Sequence, residues 1–320
     1  MMSKLAAVTA LAGGMLMGAH GLANAQSAGA DAITPSIAAS LDAAKGTPES
    51  LAAAVSALVR ANPGAAATIA AAAAKANPNA AAQVASAAAA AAPDSASTIA
   101  ASVVTAVPAS AEAVTGSVVT AVPTAAAQIA VSVTTASQKS AAATGTASTA
   151  SPAAIAAAAT KASPNSALTI AASVSRANPQ AASQIASSVA VQAAASGSTA
   201  TPGLIAAVSA RSAGVDQIAV VRAVSNATNI FPANVATQAA GAANGRLINS
   251  IVNQSAQTVQ TAQNDAQDAS SANQQANTSI QASNANEQTG GDAGVISGND
   301  DTAAIEDQKG SEDQNNSSPS

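Results

Sequence analysis

The chain has 320 residues, a net charge of −5, 48% hydrophobic residues and only 8% charged ones, and it contains no Cys, Trp or Tyr, one Phe (Phe231) and one His (His20). Alanine supplies most of the hydrophobic content. A core of large aliphatic and aromatic side chains is therefore excluded, as are disulfides and thiolate metal sites.

Residues 1–25 read as an export signal. A short n-region carries Lys4, an uncharged, mostly apolar run follows from Leu5 to Leu22, and Ala23-Asn24-Ala25 forms the small-x-small pattern that a signal peptidase accepts. The expected mature start is Gln26, and the route is that of a bacterial Sec substrate, delivered to the periplasm or beyond. A membrane anchor is the competing reading of a run this long; Gly13, Gly14 and His20 count against it. Removal of His20 leaves a mature chain with neither His nor Cys. Imidazole bases, Ser-His-Asp triads, Cys nucleophiles and the usual zinc, copper or haem ligands are then all missing.

Residues 26–134 carry an internal repeat. Pro48, Pro63, Pro78, Pro93, Pro108 and Pro123 stand 15 residues apart, and Pro164–Pro179 and Pro202–Pro232 keep the interval or twice it. Representative units are 64–78 (GAAATIAAAAAKANP), 94–108 (DSASTIAASVVTAVP) and 165–179 (NSALTIAASVSRANP). Each unit is expected to be one short helix. Thr47, Asn62, Asn77, Ser163, Asn178 and Thr201 precede proline and are expected to be N-caps, with proline at the first helical position. Arg60, Lys75, Lys161 and Arg176, three residues before a proline, fall in the last turn, where the helix dipole favours a cation. Ile69, Val84, Ile99, Val114, Ile129, Ile170 and Ile185 recur six residues after the proline, and Val103, Val118, Val133, Val174 and Val189 four residues later. Such a stripe buries one face of a helix.

Helices this short are marginal alone in water and need neighbours. Tight turns between them imply a zigzag, two units making one 30-residue hairpin. The expected fold is all-α, an α-solenoid-like array of short Ala-rich helices. A β-solenoid is the alternative, since residues 118–122 and 129–135 have strand character; the Ile/Val spacing of four and the abundance of alanine favour helix.

Residues 135–151 lose the stripe and read as a Ser/Thr/Ala linker or degraded repeat. A second repeat block spans 152–252, with larger apolar residues over 203–232 expected to cap the array and Phe231 expected to pack within it. Residues 253–289 are Gln/Asn-rich; Val259, Ala262, Ala266, Ala269, Ala276 and Ile280 keep helical spacing, so a polar helix or a linker is expected. Residues 290–320 read as a disordered acidic tail. Residues 26–263 hold nine Lys/Arg against six Asp/Glu, and residues 264–320 one against ten, so the acidity is concentrated at the C-terminal end.

No catalytic, cofactor-binding or metal-ligating residue is assigned. The paired carboxylates Asp300-Asp301, Glu306-Asp307 and Glu312-Asp313 fall in the expected tail, where nothing shapes a site. Residues 290–301 resemble a calcium-binding Gly/Asp repeat, but the unit occurs once and lacks a needed glycine. Arg211 and Arg222 read as solvated charges. Gly241 and Gly245 form a G-x-x-x-G without an apolar span around it, and Asn226 and Asn277 sit in glycosylation patterns. Nucleic acid is not an expected partner, because no basic patch or aromatic platform exists; self-association or another protein is. The expected function is an exported, non-enzymatic structural scaffold of a coat, sheath or matrix. The alternatives are a solenoid that binds an exported peptide or protein, and an ice- or surface-binding protein, suggested by Thr105, Thr120 and Thr135 at the same 15-residue interval.

Overall fold

A computed structural model describes residues 33–290. The expected export signal at 1–25 and the residues from 291 onward lie outside the described residues. Among the described residues every regular element is helical, and the solenoid expectation holds over the β alternative. In chain order the α-helices are α1 (Pro35–Ala44), α2 (Pro48–Ala61), α3 (Ala66–Ala76), α4 (Ala81–Ala91), α5 (Ala96–Ala106), α6 (Ala111–Ala121) and α7 (Ala126–Thr144). They continue with α8 (Pro152–Ala162), α9 (Ala167–Ala177), α10 (Ala182–Ala195), α11 (Pro202–Ala213), α12 (Gln217–Thr228), α13 (Pro232–Gln238) and α14 (Ala242–Gly290). One compact unit ends at Ser283, and the packing described below is confined to it.

The 15-residue unit resolves into an 11-residue α-helix, a 3-residue 3₁₀ turn that opens on the proline, and one junction residue, as in Pro78–Ala80, Ala81–Ala91 and Ala92. This corrects part of the capping expectation. Thr47 and Thr201 do cap, accepting from the backbone N–H groups of Ser50 (3.2 Å) and Leu204 (3.3 Å). Asn62, Asn77, Ser163 and Asn178 make no such bond. Their ψ angles lie between 67° and 87°, and the first turn after them is 3₁₀. The junction carbonyl meets the first free amide instead, as in Ala80 N–H to Asn77 O at 3.0 Å. A 3₁₀ start thus satisfies backbone groups that a side chain would otherwise reach. Asn62 and Asn178 turn the other way and donate to the carbonyls of Leu58 and Val174 in the helix just ended. Ala92, Val107 and Val122 occupy the same junction without a polar group at all.

Helices two apart in sequence pack side by side: α3, α5, α7, α9 and α11 form one layer, and α2, α4, α6, α8, α10 and α12 the other. The Gln128 amide near the start of α7 donates to Ser97 near the start of α5 (3.1 Å), so helices within a layer run parallel. Each intervening helix therefore returns antiparallel in the opposite layer. The Ile/Val stripe is part of the core; Ile69, Val84, Ile99, Val114, Ile129, Ile155, Ile170 and Ile185 are completely buried. The buried threonines Thr115, Thr134 and Thr160 donate to their own helix, to Ala111 O (2.7 Å), Ala130 O (2.7 Å) and Ala156 O (2.8 Å).

Residues 135–144, expected to be a linker or a degraded unit, extend α7, which ends where Gly145 takes a left-handed φ of 65°. The extension is tied down by the Ser137–Ser148 hydroxyl pair (2.7 Å) and by Gln138 to Asn178 Oδ1 (2.7 Å). Within 203–232, Ile205, Val208, Val220, Val221 and Val224 are buried. Phe231 is not: it is 79% exposed, and Ile218 is 67% exposed. The expected packing role for Phe231 is thereby corrected. Proline at 232 starts α13 directly, and the preceding residue faces outward at φ −55° and ψ 137°.

Candidate interaction surface

The polar C-terminal helix is docked on the array. Ser255 of α14 meets Arg176 of α9 (Nε to Oγ, 2.8 Å) and Ser212 of α11 (3.4 Å). Seven residues on, the Ala262 carbonyl accepts from Ser132 of α7 (3.3 Å). Seven further, the Ala269 carbonyl accepts from Ser102 of α5 (3.5 Å). Eight further, Asn277 Oδ1 accepts from the ammonium of Lys75 on α3. A heptad of α-helix rises about 10.5 Å, close to the 8–10 Å between packed helices. The long helix therefore crosses one helix of the α3–α11 layer per heptad.

The residues permitting this are small. Ser102 and Ser132 stand three residues after the stripe isoleucine, and Ala72 and Ser173 hold the same position in α3 and α9; all four are buried. The matching face of α14 consists of Ile248, Ile251, Ser255, Val259, Ala262, Ala266, Ala269, Asn273 and Ala276, again buried. Beyond Val259, among the described residues, no large apolar residue of α14 is fully covered, so close approach rather than bulk holds the contact.

Asp265 is the charged centre of the seam. It accepts from Gln128 (2.8 Å) and Ser132 (3.3 Å) of α7 and from Thr98 (3.4 Å) of α5. Arg176 also donates to the Val252 carbonyl (2.9 Å). Lys75 and Arg176, placed by sequence in their own last turns, thus serve as bridges to α14, whereas Arg60 and Lys161 on the other layer are exposed. Partial burial beneath α14 lowers the Lys75 ammonium pKa from its usual 10.5. Some polar atoms find no partner: Ser173 Oγ, Ser175 Oγ, Ser209 Oγ and Asn273 Oδ1 are buried and unbonded. Sequence reasoning recovered the helical spacing of 259–280 but missed the receiving row, because the clue was two serines 30 residues apart among many.

Concavities are shallow. An open trough of about 430 Å³ lies where the turns at Pro63 and Ser95 meet α14 at Asp268 and Gln275. Among the described residues no three His, Asp or Glu side chains gather to hold a metal, and no helix is long and apolar enough to cross a membrane. The carboxylate pairs at 300–313 and nearly all of 290–301 lie outside the described residues. Arg211, Arg222, Asn226 and Asn277 are exposed, and so is Gly241, while Gly245 within α14 is half-covered. Thr105 and Thr135 belong to α5 and α7, but Thr120 belongs to α6 in the opposite layer, so the three do not line one face of the array. Comparison with protein-family models, with curated proteins and with solved structures finds no match.

Proposed function

We propose that the chain is an exported, non-enzymatic structural scaffold that associates with further copies in an extracytoplasmic assembly. The observation that carries this reading is the outer face of the α4–α10 layer. Across α4, α6, α8 and α10 its side chains are mainly Ala, Gly, Ser, Thr and Gln, with Glu112 and Lys161 as charges and Val191 as the larger apolar group. Small side chains at a constant period make a regular wall that packs closely against another such wall with little desolvation of charge. Export is supported by the signal pattern of residues 1–25, and the acidic composition of residues 264–320 favours a hydrated outer border.

Light scattering and electron microscopy of the protein beginning at Gln26 test the reading. Filaments, sheets or large oligomers are expected. A monomer that persists at high concentration overturns it. A second reading, a solenoid that binds a helical partner, is favoured by one observation: the α3–α11 layer already holds a long amphipathic helix along its length.

A further inference from the structure

The face covered by α14 is a binding site whose occupant is visible. We infer that this occupant is exchangeable, and that the α14 of a second copy fills the same face, linking chains by reciprocal or head-to-tail helix exchange. The inference deepens the scaffold reading by naming one route to assembly, and it rests on that reading only for its biological purpose.

Four observations point this way. First, the seam is repetitive: carbonyls at 262 and 269 meet Ser132 and Ser102, so any identical chain offers the same ladder. Second, it is held weakly beyond Val259, by alanines and a few polar bonds, while Asn273 Oδ1 and Ser173 Oγ remain buried and unpartnered. Such segments open locally well before the rest of a fold. Third, the specificity is present: Asp265 needs donors from two adjacent helices of one layer, which this chain supplies through Thr98, Gln128 and Ser132. A shift of seven residues would put Thr258 or Ala272 there, and neither carries a carboxylate.

The fourth observation is the hinge. Residues 239–241 join α13 to α14, and within them only Gly241 has a positive φ, at 102°. The reversal is clipped by the Asn244 amide, which donates to the carbonyls of Gln238 (3.1 Å) and Ala240 (2.9 Å). Returning Gly241 to a negative φ swings α14 away without breaking any helix. Short connections of this kind favour exchange between copies over closure within one. A Cβ at Gly241 meets no atom within 4 Å, so Gly241→Ala acts on backbone conformation alone.

The test uses full-length protein, which has no native cysteine. One preparation carries Lys75→Cys and another Asn277→Cys, and they are mixed in equal amounts with a short bis-maleimide. Exchange predicts a crosslinked dimer of the two chains whose yield rises with concentration, and Gly241→Ala in both chains raises that yield about tenfold at low concentration. The double variant Lys75→Cys/Asn277→Cys must crosslink within one chain. The idea is overturned if that internal crosslink fails, if the mixed chains never join while it succeeds, or if Ala90→Cys on the opposite layer joins Asn277→Cys equally well. Large assemblies without mixed crosslinks overturn exchange and leave the scaffold reading standing. Mixed crosslinks confined to dimers do the reverse.

Discussion

Replacing Asp265 by alanine isolates the acidic anchor of the seam. Of its three bonds, that from Gln128 is short at 2.8 Å, while those from Ser132 and Thr98 are long at 3.3 and 3.4 Å. A hydrogen bond to a charged group contributes about 1.5–3 kcal/mol, and long bonds only a fraction of that. Gln128 and Thr98 are half-exposed and recover water, and Ser132 keeps the Ala262 carbonyl. The net loss is then about 2–3 kcal/mol, felt by α14 rather than by the array. Local opening should rise about 30- to 150-fold. Hydrogen exchange of the amides of residues 259–280, compared with those of α4, measures it. Asp265→Asn keeps the size but removes the charge and should show roughly half the effect in free energy. A change under about threefold in Asp265→Ala, or an equal change in α4, refutes the assignment of α14's anchorage to this carboxylate.

Thr47→Ala should cost about 1 kcal/mol, or about 2–4 °C in thermal midpoint, whereas Asn77→Ala should change it by less than about 0.5 kcal/mol, since only Thr47 caps. Gly203→Ala should destabilise by about 1–3 kcal/mol even though alanine is the better helix former. A Cβ there falls 2.1 Å from the Val235 carbonyl oxygen and 2.6 Å from Gln238 Cβ, so α13 must lift; faster proteolysis between α12 and α14 would report it. Lys75 gives a pH signature. Its folded pKa is lowered by burial, so between that value and 10.5 the unfolded chain binds more protons, and stability rises with pH across the window. Urea midpoints of Lys75→Met should lack this component of the rise.

Much of the array was legible because each signal was strong on its own. Fifteen-residue prolines, the isoleucine stripe and the cations three residues before proline all specify helix of one length, and no other period fits them. What escaped was decided by contacts that leave a faint mark. The junction residues Asn62, Asn77, Ser163 and Asn178 look like caps, yet their role depends on whether the following turn is α or 3₁₀, which Ala92, Val107 and Val122 accommodate equally. Phe231 looked like core because aromatic residues usually are; its backbone position just before Pro232 turns it outward. The stretch after Thr135 lost its stripe, yet Ala136 and Ser137 are buried in an extended α7, since alanine and serine suffice where neighbours come close.

The same small residues tie the length of the array to the length of α14. Alanine and serine on the α3–α11 layer set the close helix spacing, and the spacing selects a crossing helix with a contact every seven residues. Larger residues at Ala72, Ser102, Ser132 or Ser173 would lift α14 and put its carbonyls beyond the serine hydroxyls. They would also widen the layer, so the heptad would drift out of step over successive crossings. Neither period is meaningful alone: 30 residues of array correspond to seven of α14. Low side-chain volume here is therefore the condition for registration between two repeats, and the weak contacts that follow from it are what make the long helix releasable.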